Sequence, residues 1–128
     1  MKKDLKSLSN EELRERHNEL AVLMGYDSDN CFTSSYNRRF RQRQKIIDEL
    51  RARSAIDVLL PNLRHEEPWV RCLSASICWD VAPGEAETTL EELAQEPYAT
   101  VGIQARSSLG WRRDGFINRP LPAKPRTA

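Results

Sequence analysis

Leu59-Leu60-Pro61-Asn62-Leu63-Arg64-His65-Glu66-Glu67-Pro68-Trp69-Val70-Arg71-Cys72-Leu73-Ser74-Ala75-Ser76-Ile77 reads as a short apolar helix, an acidic turn closed by a proline, and a second helix. A pair of this kind is apolar on more faces than it can cover alone, so it must stack on a neighbour, as in an α-solenoid. The first helix of the pair carries Ile56, Leu59, Leu60 and Leu63. Pro61 lacks an amide donor and clashes with the preceding turn, so a kink or break is expected there. Pro68 suits the first turn of the second helix. One face of that helix holds Val70, Leu73, Ile77 and Val81, another Trp69, Cys72, Ser76 and Trp79. Two apolar faces imply burial between neighbours, with Trp79 in the core. Pro83-Gly84 is the expected stop.

The same pattern echoes downstream. Ala86, Leu90, Leu93 and Ala94 form one face of an acidic helix ending before Pro97, and Val101, Ile103, Ala105, Leu109 and Trp111 lie on a last helix ending near Asp114-Gly115. A shift of thirty residues sets Leu90 on Leu60, Leu93 on Leu63, Ile103 on Leu73 and Ala105 on Ala75, a degenerate internal repeat. Upstream, two longer helices are expected. Ser9 with Glu12 makes a capping box, Leu8 staples to Leu13, and Leu13, His17, Leu20 and Met24 follow on one helical face. Gly25 is the expected stop, and residues 26–34 read as a polar loop. The second helix is expected over 35–53 with Tyr36, Phe40, Ile46, Ile47 and Leu50 inward. Arg43 fills the missing apolar step, its stem over the core and its head in water. The organisation is therefore an arm over 1–8, one helical domain over 9–114 and a flexible, basic, Pro-rich tail over 115–128. The fold class is all-α, two long helices followed by two short pairs.

A chain of 128 residues with 20 basic and 19 acidic side chains has room for one core, and its bulk charge argues for no polyanionic partner. No apolar run is long enough to cross a bilayer, and Met1-Lys2-Lys3-Asp4-Leu5-Lys6 lacks the apolar stretch of a signal peptide. Cys31, Cys72 and Cys78 cannot all pair within one chain, which points to a reducing, cytoplasmic setting.

Residues 59–83, with Leu-Leu-Pro-x-Leu, an acidic turn, Pro-Trp-Val-Arg and a helix of small residues, resemble a HEAT repeat. With the long helices before them and the short pair after, residues 9–113 resemble a family of small bacterial proteins classed only as a domain of unknown function with HEAT-like helices. The specific part of the resemblance is 59–94. It departs where HEAT turns place an aspartate, since Arg64 and His65 stand there and Glu66 or Glu67 must cap instead. The resemblance implies a fold and no mechanism. Many small proteins of this kind look like members of bacterial toxin and immunity loci, which implies a protein partner.

Candidate chemistry is thin. His17 and His65 have no further ligands at metal spacing, so no metal or other cofactor is expected. Asp27-Ser28-Asp29-Asn30-Cys31 opens like a calcium loop, yet Phe32 and Arg38 hold the places that need glycine and a carboxylate. No nucleophile has an identifiable base; Asp80 beside Trp79 is the one candidate carboxylate for a small helical enzyme, and an enzyme is not expected. Glu85, Glu87, Glu91, Glu92 and Glu96 read as a solvated face. Trp69 with Arg71, and Trp111 with Arg112 and Arg113, have the make-up of interface hot spots near helix ends. The expected function is a protein-binding module, an immunity protein that covers a cognate toxin. It would present the second helices of the pairs and the acidic helix 85–96, with Glu91 and Glu92, to a basic partner. The alternative is a nucleic-acid-binding helix using Arg38, Arg39, Arg41, Arg43 and Lys45.

Overall fold

The computed structural model describes residues 4–97 and 99–114, and every described element is helical. Five α-helices run over Asn10–Asp29 (α1), Thr33–Ala52 (α2), Pro68–Cys78 (α3), Pro83–Ala94 (α4) and Thr100–Asp114 (α5), with 3-10 segments at Leu5–Ser7 and Ile56–Arg64. The chain forms two layers. In one, α2 touches the second 3-10 segment, which touches α4; in the other, α1, α3 and α5 all contact one another. The 3-10 segment packs on α3, and α4 packs on both α3 and α5, so the two short pairs stand beside the α1–α2 hairpin.

α1 begins as its sequence dictates. The Ser9 hydroxyl accepts from the Glu12 amide and the Glu12 carboxylate accepts from the Ser9 amide, closing the capping box. It does not stop at Gly25. The helix runs on to Asp29, and only residues 30–32 turn, with Cys31 at φ 58°. The glycine serves close approach instead: a Cβ there would lie 2.4 Å from Cδ1 of Trp69. α2 therefore starts at Thr33, inside the stretch read as a loop.

Pro61 converts its whole segment rather than kinking it. Residues 56–64 wind as 3-10 helix, whose three-residue turn eclipses positions three apart. Ile56, Leu59 and Asn62 consequently share the buried line, while Leu60 is half-buried. An α-helical period would have hidden Leu60 and left Asn62 outside. α3 starts with Pro68 in its first turn, as expected, but ends at Cys78. Val81 falls in the turn and is exposed, and Trp79 is half-buried against the core. Pro83-Gly84 opens α4 instead of closing α3. The thirty-residue echo is also adjusted: Ile103 is exposed where Leu73 is buried. Burial repeats at thirty-one residues, with Val70, Ser74, Ile77 and Cys78 answered by Val101, Ala105, Ser108 and Leu109.

The core holds a polar seam. Arg43 is only 4 % exposed, so its head does not reach water. Its Nε donates to His17 Nε2 at 3.0 Å and its Nη2 to the Leu73 carbonyl at 2.8 Å. Burial, aided by the Arg43 charge, holds His17 down at about 3, so the ring is neutral and accepts from Arg43. The other ring nitrogen is then the donor, facing Asn18 Oδ1 at 3.2 Å. Asn18 exchanges hydrogen bonds with Asn62, which also donates to Ser74 Oγ at 3.1 Å. Burial lowers Arg43 to about 10, so it remains a cation at neutral pH. Among the described residues no carboxylate pairs with it.

At the N-terminal end, Arg53 ties the arm down. Its guanidinium donates to the carbonyls of Leu5, Lys6 and Leu8 while Nε pairs with Glu49. The tail over 115–128 lies outside the described residues.

Candidate interaction surface

Of the expected contact residues, those on α3 are used internally. Trp69 is 8 % exposed, wedged on the Gly25 backbone with its ring edge-on to Tyr36 at 6.5 Å. It is a core side chain and not a contact. Arg71 is half-buried and donates to the carbonyls of His65 (2.6 Å) and Glu66 (3.1 Å), so it closes the turn ahead of its own helix. α3 as a whole presents almost nothing outward, because nearly every residue on it is buried.

α5 keeps its outward face. Trp111 is 36 % exposed, with the Arg112 guanidinium 5.2 Å from its ring centroid. Arg112 is not free: it donates to Asp80 Oδ1 at 2.8 Å and to the Ser76 carbonyl at 2.7 Å, while its buried Nε has no partner. Arg51 approaches the same Asp80 at 3.6 Å, so this carboxylate bridges α2 and α5 across an exposed surface. That arrangement gives Asp80 a structural role. Arg113 pairs with Glu87 at 2.7 Å and with Glu91, and the hydrogen bond its Nε donates to the Glu87 carboxylate is the main cause of its raised pKa. The acidic helix is therefore partly neutralised from within. Glu92 and Glu85 stay exposed, lining a shallow recess with Arg64 and Thr88.

The basic stretch of α2 divides. Arg39 forks onto Asp27, 2.9 and 3.0 Å from the two carboxylate oxygens, and Asp27 is buried. Arg43 is in the core seam. These two are structural and drop out of any phosphate-tracking set. Arg38, Arg41 and Lys45 are exposed and, at spacings of three and four, share one stripe of the helix.

Two open cavities meet at Gln104. One, of about 400 Å³, is lined by Asp27, Cys31, Phe32 and Tyr36; the other, of about 580 Å³, by Ser107, Ser108 and Trp111. Through this shared residue they adjoin as a grooved surface from the α1–α2 turn along α5, with exposed Phe32 lining one cavity and Trp111 the other. Trp111 is legible in the sequence from its place near a helix end, whereas Phe32 carries no signal because it stands in the turn between α1 and α2. Gln104 carried no signal at all. The cysteines divide too: Cys31 is exposed beside this groove, while burial pushes Cys72 and Cys78 up to about 12, leaving both as thiols.

The sequence over residues 11–111 matches the family described as Domain of unknown function (DUF2019). The chain belongs to that family. A solved relative is the crystal structure of the protein RPA1889 from Rhodopseudomonas palustris CGA009, 25 % identical, covering 93 % of this chain and 100 % of that one at a TM-score of 0.81. No curated protein matches the sequence. The DUF2019 match begins in the first turn of α1 and ends at Trp111, so it contains the groove, the polar seam and the cationic stripe of α2. Among the described residues no helix is long and apolar enough to cross a membrane, and no cluster of three metal-ligating side chains occurs.

Proposed function

We propose that the protein is a non-enzymatic binding module that engages a protein partner through the groove between the α1–α2 turn and α5. The observation that carries this reading is the pair of exposed aromatics, Phe32 and Trp111, lining two cavities that adjoin at Gln104, with the Arg112 cation over the indole. Aromatic and arginine side chains at a concave surface are the usual anchors of an interface. The specific instance is an immunity protein of the cytoplasm that neutralises a toxin encoded by an adjacent gene, acting by shape and charge complementarity. The exposed carboxylates Glu85 and Glu92 at the far side of α4 favour a basic partner. The HEAT-like character of the stacked pairs belongs to this reading, since repeats of that kind bind proteins along their concave side.

The test is co-expression with the product of the adjacent gene. A stable complex and rescue from toxicity are expected, both lost in the Phe32→Ala, Trp111→Ala double variant. Absence of a complex together with absence of rescue would sink the proposal.

The second reading, nucleic-acid binding, retains Arg38, Arg41 and Lys45. It requires affinity for an oligonucleotide that falls steeply with salt and is lost in Arg38→Glu, Arg41→Glu.

A further inference from the structure

The outer side of the α1–α2 hairpin carries a second groove, separate from the one at α5, of about 520 Å³. Its floor is apolar: Ile46 is buried, Leu20 is half-buried, and Leu23 is 41 % exposed although it sits among aliphatic neighbours. Leu5 of the first 3-10 segment also lines it, and Leu23 leaves an exposed apolar seam between the two long helices that a further helix would cover. The rims differ in charge. On the α2 side Lys45 lines the groove, and Arg38 and Arg41 continue its stripe; none of the three forms an ion pair among the described residues. On the α1 side Glu19 and Arg16 both line the groove, and the exposed Glu15 one turn before Glu19 leaves that rim net acidic.

We propose that this groove docks an amphipathic helix of a protein partner, its leucine stripe on Leu20, Leu23 and Ile46. The flank of that helix facing α2 is acidic and meets Lys45, Arg41 and Arg38, while the flank facing α1 is basic and meets Glu15 and Glu19. Helix-in-groove recognition reads apolar anchors at helical spacing, and flanking charges set direction and partner choice. A polyanion fits less well. A nucleic-acid strand laid on the cations would run beside Glu15 and Glu19, and it has no leucine stripe to cover Leu23.

The inference uses none of the residues of the α5 groove, so the two proposals fail separately. The probes are a labelled three-heptad peptide with a leucine stripe, Glu on one flank and Lys on the other; the same peptide with its leucines replaced by Gln; and a single-stranded oligonucleotide. Each is titrated into the full chain by fluorescence anisotropy. Saturable binding of the first peptide is expected, weakened about tenfold by loss of its leucines or by Leu23→Glu, and several-fold by Lys45→Glu. Trp111→Ala should leave it unchanged. Leu23 and Lys45 are both exposed, so the fold is expected to survive, and the second variant supplies the reading should the first not fold. Binding that is absent, or indifferent to both variants, overturns the proposal. So does an oligonucleotide that binds more tightly than the peptide and is lost in Arg38→Glu, Arg41→Glu with Leu23→Glu neutral.

Discussion

The seam that joins α1 and α2 to the first short pair and the seam that joins α4 to α5 solve the same packing problem in opposite ways. The first is polar. Arg43, His17, Asn18, Asn62 and Ser74 pass hydrogen bonds from α2 through α1 to the 3-10 segment and α3. The second is close and apolar, with Ala86, Leu90, Leu93, Val101, Ala105 and Leu109 buried. Gly102 there lies so near the chain leaving α4 that a Cβ would fall 2.0 Å from the Glu96 carbonyl oxygen. A polar seam admits one arrangement, because each donor needs its own acceptor in a medium where an orphan is costly. An apolar seam is set by volume, so it responds to size and is indifferent to pH.

The largest loss of stability is expected at Trp69, the wedge between α1 and α3. Trp69→Ala should lower the unfolding free energy by about 4 kcal/mol in urea denaturation, since a large cavity opens over Gly25. Arg43→Ala comes next, at about 3 kcal/mol, because the Leu73 carbonyl and His17 Nε2 lose their donor. Arg43→Met should cost clearly less. It loses the same hydrogen bonds and the same buried cation but fills the volume that alanine leaves empty.

In the polar seam acid should act through His17. The folded His17 has its pKa depressed to about 3, against an unfolded value of 6.5. Above pH 6.5 both states are neutral at this ring and no pH dependence arises from it. Below 6.5 the unfolded chain takes up a proton that the folded chain refuses, so stability is lost as pH falls from 6.5 towards 3. Between pH 6 and pH 4 the loss from this one group is roughly 2.5 kcal/mol, read from denaturation midpoints at the two pH values. In the apolar seam Gly102→Ala should cost about 2 kcal/mol with no such acid dependence, because backbone must move to admit the methyl group. The smallest effect is expected at Trp111. Its replacement by Ala should change stability by less than about 0.5 kcal/mol, which separates it from Trp69 and leaves any loss of partner binding attributable to contact. A larger loss on thermal melting would make Trp111 a core residue and remove it from the proposed surface.

Much of the local structure was legible. The Ser9–Glu12 capping box, the Pro68 start of α3 and the stripe Ala86, Leu90, Leu93 on α4 all rest on neighbours within a turn or two, where side-chain chemistry acts directly on backbone. The misreadings share a cause. Gly25 is a usual helix stop, but it sits in mid-helix because an indole from forty-four residues away needs its bare backbone. Arg43 fits a snorkelling position equally well until α3 places a carbonyl within 2.8 Å of it. Pro83 ends one helix or begins the next with the same local geometry. The candidate surface was half legible: Trp111 announced itself, whereas Trp69, its equal in sequence terms, was buried by a partner no local pattern names.

By itself the sequence determined the all-helical class, the capping box of α1 and most of the apolar stripes, because those depend on periodicity and on contacts within one or two turns. Tertiary structure alone decided which of two tryptophans is exposed. It decided which of the five cations between Arg38 and Lys45 are spent inside, and that a 3-10 turn would carry Asn62 into the core. Each of these depends on what another element brings to the same place, and a desolvated polar or aromatic group takes its role from that neighbour.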